Sequence, residues 1–545
     1  MSRPRSLPRQ AVGLARQLPR PPRGMPPLRP PRSRTGRTLL GVLGALGLVL
    51  GVAVVTDPHA VSAGSSPGTR VTVRSTVAVC PHPESRGSSA SGTRLAIAAP
   101  MAAAADDTAT AADAGADGED GTSTEGKATV REQGSKSKRS VLTIDEPGTT
   151  TYKDLPETGD SAAPLIANAT GAVAPGFAAS QTTRILGDAN TRSLAGTACP
   201  QAGTEFWFAG TGSTEDRVAY LYLVNPENAS ARVDIELFGD NGPVEGSNLD
   251  AIVLPPGGRE QKLLQVVAPS EERLVVHVIA RVGRVVAGLH DSLTDGMQPR
   301  GADWMPGVTA ARNRVIVPAV PGGKGERTLY LFVPGDEGAL ARIKLVGKNG
   351  TFSPAPDKNA GALDTIALEG NRVKQVSLGN VANREPFGVL IDADRPVVAT
   401  LRVGTGDSPP DIAYLAATET LGGPSVVADA RNDGKMTTKL VFTAPDGPAK
   451  VRVVTLVKGE EPTEFREVEI GAGLSQEVSL SKIKGSFAIV ITPMPGSGPV
   501  YASRVLRESH GDGDLLTIEQ FLPSHTTELV PDVVNDLSAG LRPGE

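Results

Sequence analysis

The sequence predicts an all-β protein, a tandem array of immunoglobulin- or fibronectin-like β-sandwiches after a single N-terminal transmembrane helix. Two observations carry this. A threefold internal repeat of about 110 residues fills the C-terminal two thirds of a 545-residue chain, and one uninterrupted apolar run stands near the N-terminus. In the repeat, Leu221-Tyr222-Leu223-Val224-Asn225-Pro226 returns as Leu329-Tyr330-Leu331-Phe332-Val333-Pro334 and Leu440-Val441-Phe442-Thr443-Ala444-Pro445. Later in each unit Val285-Val286-Ala287, Val397-Val398-Ala399 and Val500-Tyr501-Ala502 keep the register.

Residues 1–37 hold ten arginines and nine prolines, a composition that reads as a disordered cytoplasmic tail. Leu39 to Val55 carries no polar side chain, and residues 38–56 give nineteen positions, just enough helix for roughly 30 Å of hydrocarbon. Arginines on one side only predict a cytoplasmic N-terminus and a C-terminal bulk beyond the membrane. Small residues at Val61-Ser62-Ala63 leave open the alternative of cleavage near Ala63 and secretion. Because the ten arginines stand before an acid-rich remainder in a chain of net charge −5, residues 57–545 carry −15. Nucleic acid, whose affinity comes from Lys and Arg displacing counterions, is excluded as a partner on that ground.

After a stalk, 57–69, residues 70–200 read as a sparse β domain: Val71 to Val79, Leu95 to Ala98 and Val141 to Ile144 are its strand candidates. Residues 101–139, rich in Ala, Asp, Gly and Thr, read as a disordered insertion. The chain has two cysteines, and in an oxidising compartment Cys80 and Cys199 are expected to pair, stapling this domain to the start of the repeats.

Three sandwiches follow, at 201–300, 301–410 and 411–545. In the second, strands are predicted at Val315–Pro318, Thr328–Val333, Ala341–Val346, Thr365–Leu368, Val373–Leu378, Phe387–Ile391 and Pro396–Val403, separated by turns such as Pro334-Gly335-Asp336 and Asp392-Ala393-Asp394. Seven strands per unit suggest a sandwich. A β-propeller, with blades of about 45 residues, fits the pitch less well. A segment like Asp303-Trp304-Met305-Pro306 recurs at Asp411-Ile412-Ala413-Tyr414 and Asp514-Leu515-Leu516-Thr517.

No catalytic, cofactor or metal constellation is expected. His290-Asp291-Ser292 cannot assemble a triad, because adjacent strand residues point to opposite faces. Gly64-Ser65-Ser66-Pro67-Gly68 matches a nucleophile elbow without the flanking strand and helix. The densest aromatic cluster, Phe206-Trp207-Phe208, offers Trp207 as a possible ligand contact, with a core role as the competing explanation.

The run from Cys199 through Phe206-Trp207-Phe208-Ala209-Gly210, Leu221 to Pro226, Phe238-Gly239-Asp240-Asn241-Gly242-Pro243 and Leu254-Pro255-Pro256-Gly257-Gly258 resembles an uncharacterised family of exported, often membrane-anchored actinobacterial proteins, a domain of unknown function. The resemblance implies location and fold and carries no catalytic residues. The expectation is therefore a non-enzymatic envelope protein, a rod of sandwiches that binds or scaffolds envelope polysaccharide or other exported proteins. Recognition would sit in loops such as Gly239 to Asp250 and Thr351 to Gly361. An exported cell-wall hydrolase and a purely structural spacer are the alternatives.

Overall fold

The computed structural model describes residues 69–530 apart from 82–91, 102–124, 135–139, 156–162, 187–191, 355–362, 380–383 and positions 408, 464, 512 and 524. The predicted tail and membrane segment, residues 1–37 and 38–56, lie outside the described residues. Among those described, no helix is long and apolar enough to cross a membrane.

Arg70–Val530 is one compact unit, almost entirely antiparallel β. It contains four sandwiches, not three. In the first, one sheet runs β2 (Ser75–Cys80), β7 (Leu165–Gly171), β4 (Gly126–Glu132), β5 (Leu142–Ile144), and the other runs β6 (Thr149–Leu155), β3 (Gly92–Ala99), β8 (Ala178–Leu186), β9 (Arg192–Ala198). In the second the corresponding sheets are β10 (Glu205–Thr211), β16 (Leu274–Val282), β12 (Ala231–Gly239), β13 (Gly242–Val244), with β14 (Ile252–Leu254) also on β12, and β15 (Arg259–Leu263), β11 (Arg217–Val224), β17 (Val286–Asp295), β18 (Gln298–Met305).

The third has β19 (Arg312–Val320), β25 (Phe387–Gly404), β21 (Ala339–Gly347), β22 (Gly350–Phe352) and β23 (Thr365–Leu368) on one side, and β24 (Val373–Ser377), β20 (Arg327–Phe332), β25 again and β26 (Ile412–Ala416) on the other. The fourth pairs β27 (Ser425–Asn432), β32 (Ile483–Pro493), β29 (Ala449–Val457), β30 (Arg466–Ile470) with β31 (Leu474–Ser479), β28 (Met436–Ala444), β33 (Tyr501–Glu508), β34 (Leu515–Gln520). Finally β1 (Thr69–Thr72) pairs with β35 (Thr527–Val530).

The connectivity is the same in all four, and it corrects the immunoglobulin-type expectation. There the second strand lies between the first and fifth. Here it lies between the strand that follows the outer hairpin and the penultimate strand, as β11 does between β15 and β17. The sandwich architecture holds while the strand order differs. The 18-residue β25 replaces two predicted strands, passing through Asp392-Ala393-Asp394 without a turn: its first half pairs with β19 and β21, its second with β20 and β26.

Within residues 101–139, expected to be a disordered insertion, Gly126–Glu132 forms β4, which corrects the reading for that stretch; 102–124 and 135–139 lie outside the described residues. Ala128 and Val130 of β4 are fully buried beside Leu95, Ile97 and Ala167. The strands of this first sandwich are built from Ala, Thr and Gly, whose small side chains give weak alternation, which is why the fourth copy of the unit escapes a sequence search.

The expected rod is a closed ring. Each sandwich lays its first sheet on the second sheet of the next. Val79 and Ile166 meet Val224 and Val286. Trp207, Phe238 and Val275 meet Tyr330, Phe332 and Val373. Ile316, Val346 and Leu390 meet Tyr501. Finally Ala428, Leu456, Ala488 and Val490 of the last sandwich meet Ala96 and Ala98 of the first. Leu329-Tyr330-Leu331-Phe332 is apolar throughout for this reason: one face fills its own sandwich and the other fills a seam. A rod would leave those second faces wet.

Candidate functional site

The last strands of the four sandwiches, β9, β18, β26 and β34, adjoin one another in cyclic order around the middle of the ring. Two buried aspartates tie them together. The Asp411 carboxylate accepts backbone N–H groups from every sandwich: Leu194 (3.1 Å) and Leu516 (2.9 Å) on Oδ2, and Ile412 (2.9 Å) and Ala302 (3.4 Å) on Oδ1. Asp303 accepts Gly196 N–H at 2.8 Å and its neighbour Trp304 N–H at 2.9 Å, and the Thr517 hydroxyl lies 3.2 Å from both its oxygens. Burial pushes the Asp411 carboxyl up to about 7 against the pull of those N–H donors, and burial raises Asp303 well above the usual range as well.

Close approach explains two glycines here. A Cβ on Gly196 would lie 2.8 Å from Thr517 Oγ1. Gly301, at φ +103°, would drive a Cβ to 2.5 Å from the Ile412 nitrogen. Beside this hub, the Arg217 guanidinium and the Tyr414 hydroxyl, from adjacent sandwiches, both donate to Asp291, with Arg217 Nε at 2.8 Å. Every acid at the hub is thus committed to holding strands.

Where these four strands end, a funnel of about 510 Å³ opens on the ring axis. Its wall is made by the residues that follow each last strand, among them Cys199-Pro200, Pro306-Gly307, Thr418-Glu419 and Leu522-Pro523. Proline is at home there because a strand leaving its ladder has no partner for an N–H. Phe177, Phe206 and Trp304, all buried, contribute to the wall. Of its lining residues, Arg312 pairs with Glu419, Arg314 with Asp446, and His525 Nδ1 lies 3.1 Å from Glu528. The wall is mostly apolar, an arrangement that can bind.

The Cys80–Cys199 disulfide forms, closing 119 residues. It joins the first strand of the first sandwich to the end of its last strand, and so staples that sandwich to itself at the funnel wall; the expected link from a sparse domain to the repeats is corrected accordingly. Trp207 is only 5% exposed, stacked 3.4 Å from His277 and tilted against Phe332 at 5.5 Å in the second seam, with its Nε1 donating to Glu205 at 2.9 Å. It does not line the funnel. His290 packs edge-on to Trp304, on the opposite face of β17 from Asp291. Among the described residues no group of three His, Cys, Asp or Glu is placed to hold a metal ion. Gly64 to Gly68 lies outside the described residues.

Sequence reasoning missed the funnel and the hub. The recurrence of Asp303 at Asp411 was the available signal, and the proline soon after three of the four last strands, Pro200, Pro306 and Pro523, was a second one. Neither a curated protein nor a solved structure matches the chain. A model of a family of unknown function, DUF5719, matches residues 156–481, from just after β6 of the first sandwich into the fourth. That span covers more than half of the sequence, and the chain therefore belongs to this family of unknown function.

Proposed function

We propose that the protein is a non-enzymatic binding or scaffolding protein of the cell envelope, held at the membrane by residues 38–56 or released by cleavage near Ala63, and that it grips its partner in the axial funnel. The observation that carries the reading is the funnel itself. Its volume of about 510 Å³ lies within the range of roughly 300–1,000 Å³ typical of ligand sites. Rigid sheet ends form its wall, the kind of scaffold on which recognition groups are usually held.

Of the two partner classes expected, another exported polypeptide fits better than envelope polysaccharide. Glycan sites stack sugar rings on open aromatic faces, whereas Phe177, Phe206 and Trp304 are buried and the rest of the wall is largely Ala, Gly, Pro and Thr. Gly239 to Asp250, expected to carry recognition, contains the outer strand β13, and none of its residues lines the funnel.

The test is a photo-crosslinking residue placed at Thr309, an exposed funnel position, in cells making the full chain, with Val253 on an outer strand as the control. A discrete polypeptide adduct at Thr309 that is absent at Val253 and lost when Ala310→Trp fills the mouth is expected. Equal adducts at both positions, or a glycan adduct at Thr309, would overturn the assignment.

A further inference from the structure

The last strands run from a start at Arg192, Gln298, Ile412 and Leu515 to the funnel, so their starting ends mark the opposite end of the ring. Arginines from three sandwiches gather there. Arg192 donates through Nη2 to the Gly513 carbonyl, while its buried Nη1 has no partner among the described residues. Arg507 lies 3.6 Å from Asp514, beyond hydrogen-bond length, and no hydrogen bond from its guanidinium is formed with a described residue.

Arg327 is buried, at 4% exposure, with no carboxylate of the described residues in ion-pair range. Carbonyl oxygens of Pro321, Lys324, Gly325, Glu326 and Gly404 surround it at 3.1–3.2 Å. Burial, with Arg507 alongside, pushes its guanidinium down to about 10.

The two guanidiniums face the same glycine. At Gly323, φ +132°, the position a Cβ would take is 3.7 Å from Arg507 Nη2 and 3.9 Å from Arg327 Nη2, with no other heavy atom within 4 Å beyond its chain neighbours. Two cations facing one gap repel each other, and an oxyanion placed between them would turn that repulsion into charge-assisted hydrogen bonds.

We propose that this end of the ring binds a phosphate-class oxyanion, with Arg507 as its principal fork, Arg192 Nη1 as a second donor and Arg327 supplying buried positive charge. Asp514 and Asp407, whose carboxylate accepts the Asp514 N–H at 3.1 Å, stand at the edge of the site, and their charge works against the anion and keeps its binding weak. The site is separate from the funnel, so it stands or falls independently of the proposed partner.

The probe is inorganic phosphate. Its phosphorus-31 linewidth is followed as the full chain is added, at constant ionic strength set with chloride. Broadening that saturates in the millimolar range is expected, with apparent affinity at least fivefold weaker in Arg507→Gln and intermediate in Arg507→Lys, which keeps charge and loses the fork. Circular dichroism checks that each variant retains its sheets, and if Arg507→Gln does not, Arg192→Gln is read in its place with the same expected loss. Vesicles containing phosphatidate, compared with neutral ones, tell a lipid headgroup from free phosphate. No broadening with wild type, or broadening that the folded variants leave unchanged, would overturn the proposal.

Discussion

Replacing Asp411 by alanine removes an acceptor shared by all four sandwiches, and the cost can be worked from the contacts. Three amides at 2.9–3.1 Å and a longer fourth at 3.4 Å lose their partner in a fully buried place. An orphaned buried donor costs about 1–3 kcal/mol. Water entering the vacated space and relief of a carboxyl whose pKa is already driven up by burial offset part of this. The net loss at pH 6 is expected to be about 3 kcal/mol, a large share of a typical folding stability of about 5–15 kcal/mol.

Hydrogen exchange reads the effect locally, which matters because four sandwiches need not unfold as one. The Leu194 and Leu516 amides should exchange at least tenfold faster in Asp411→Ala, while Val233, in the ladder between β12 and β16, keeps its protection. Asp411→Asn, which retains one acceptor oxygen, should lie between. Unchanged exchange at Leu194 and Leu516, or a stability loss under about 1 kcal/mol, would refute the hub.

The same carboxyl sets a pH dependence. Its pKa rises from 3.8 in the unfolded chain to about 7 in the fold, so the folded state holds more protons across that interval and stability falls as pH climbs from about 4 to about 7. Denaturant midpoints across that range should show the slope in wild type and a weaker one in Asp411→Asn, Asp303 and Glu519, both raised by burial, contributing with the same sign. Trp207→Ala should cost about 3–5 kcal/mol by emptying the second seam, and calorimetry of Trp207→Ala beside Trp207→Phe checks it; a loss under about 1 kcal/mol would return Trp207 to the surface. Cys80→Ser should lower stability by about 4 kcal/mol, as expected for opening a closed loop of 119 residues, with exchange rising first in β2 and β9.

Much of the local structure was legible and most of the assembly was not. Thr365–Leu368 is both the predicted and the observed strand, because alternation and flanking turns are local signals. The two cysteines found each other because their number and the expected compartment left one pairing. The Asp303 recurrence was visible too, yet its meaning depended on contacts such as Leu194 with Asp411, which lie 217 positions apart.

Ring closure was hidden for the same reason. The contact between the first and last sandwiches rests on small alanines and on polar groups: the Ser180 hydroxyl donates to Glu519 at 2.6 Å and Arg184 pairs with Glu508 at 2.6 Å, while Arg504 of the last sandwich holds Glu519 at 2.6 Å. These residues read along the chain as ordinary polar strand positions. Only the unbroken apolar runs Leu329 to Phe332 and Leu221 to Val224 hinted that the sheets are covered on both faces.

Small-angle X-ray scattering from residues 69–530 tests the closed ring most directly. A compact body of that length has a radius of gyration of about 23 Å, whereas four sandwiches end to end would give about 40 Å. A value near 23–25 Å is expected, and one near 40 Å would contradict the ring.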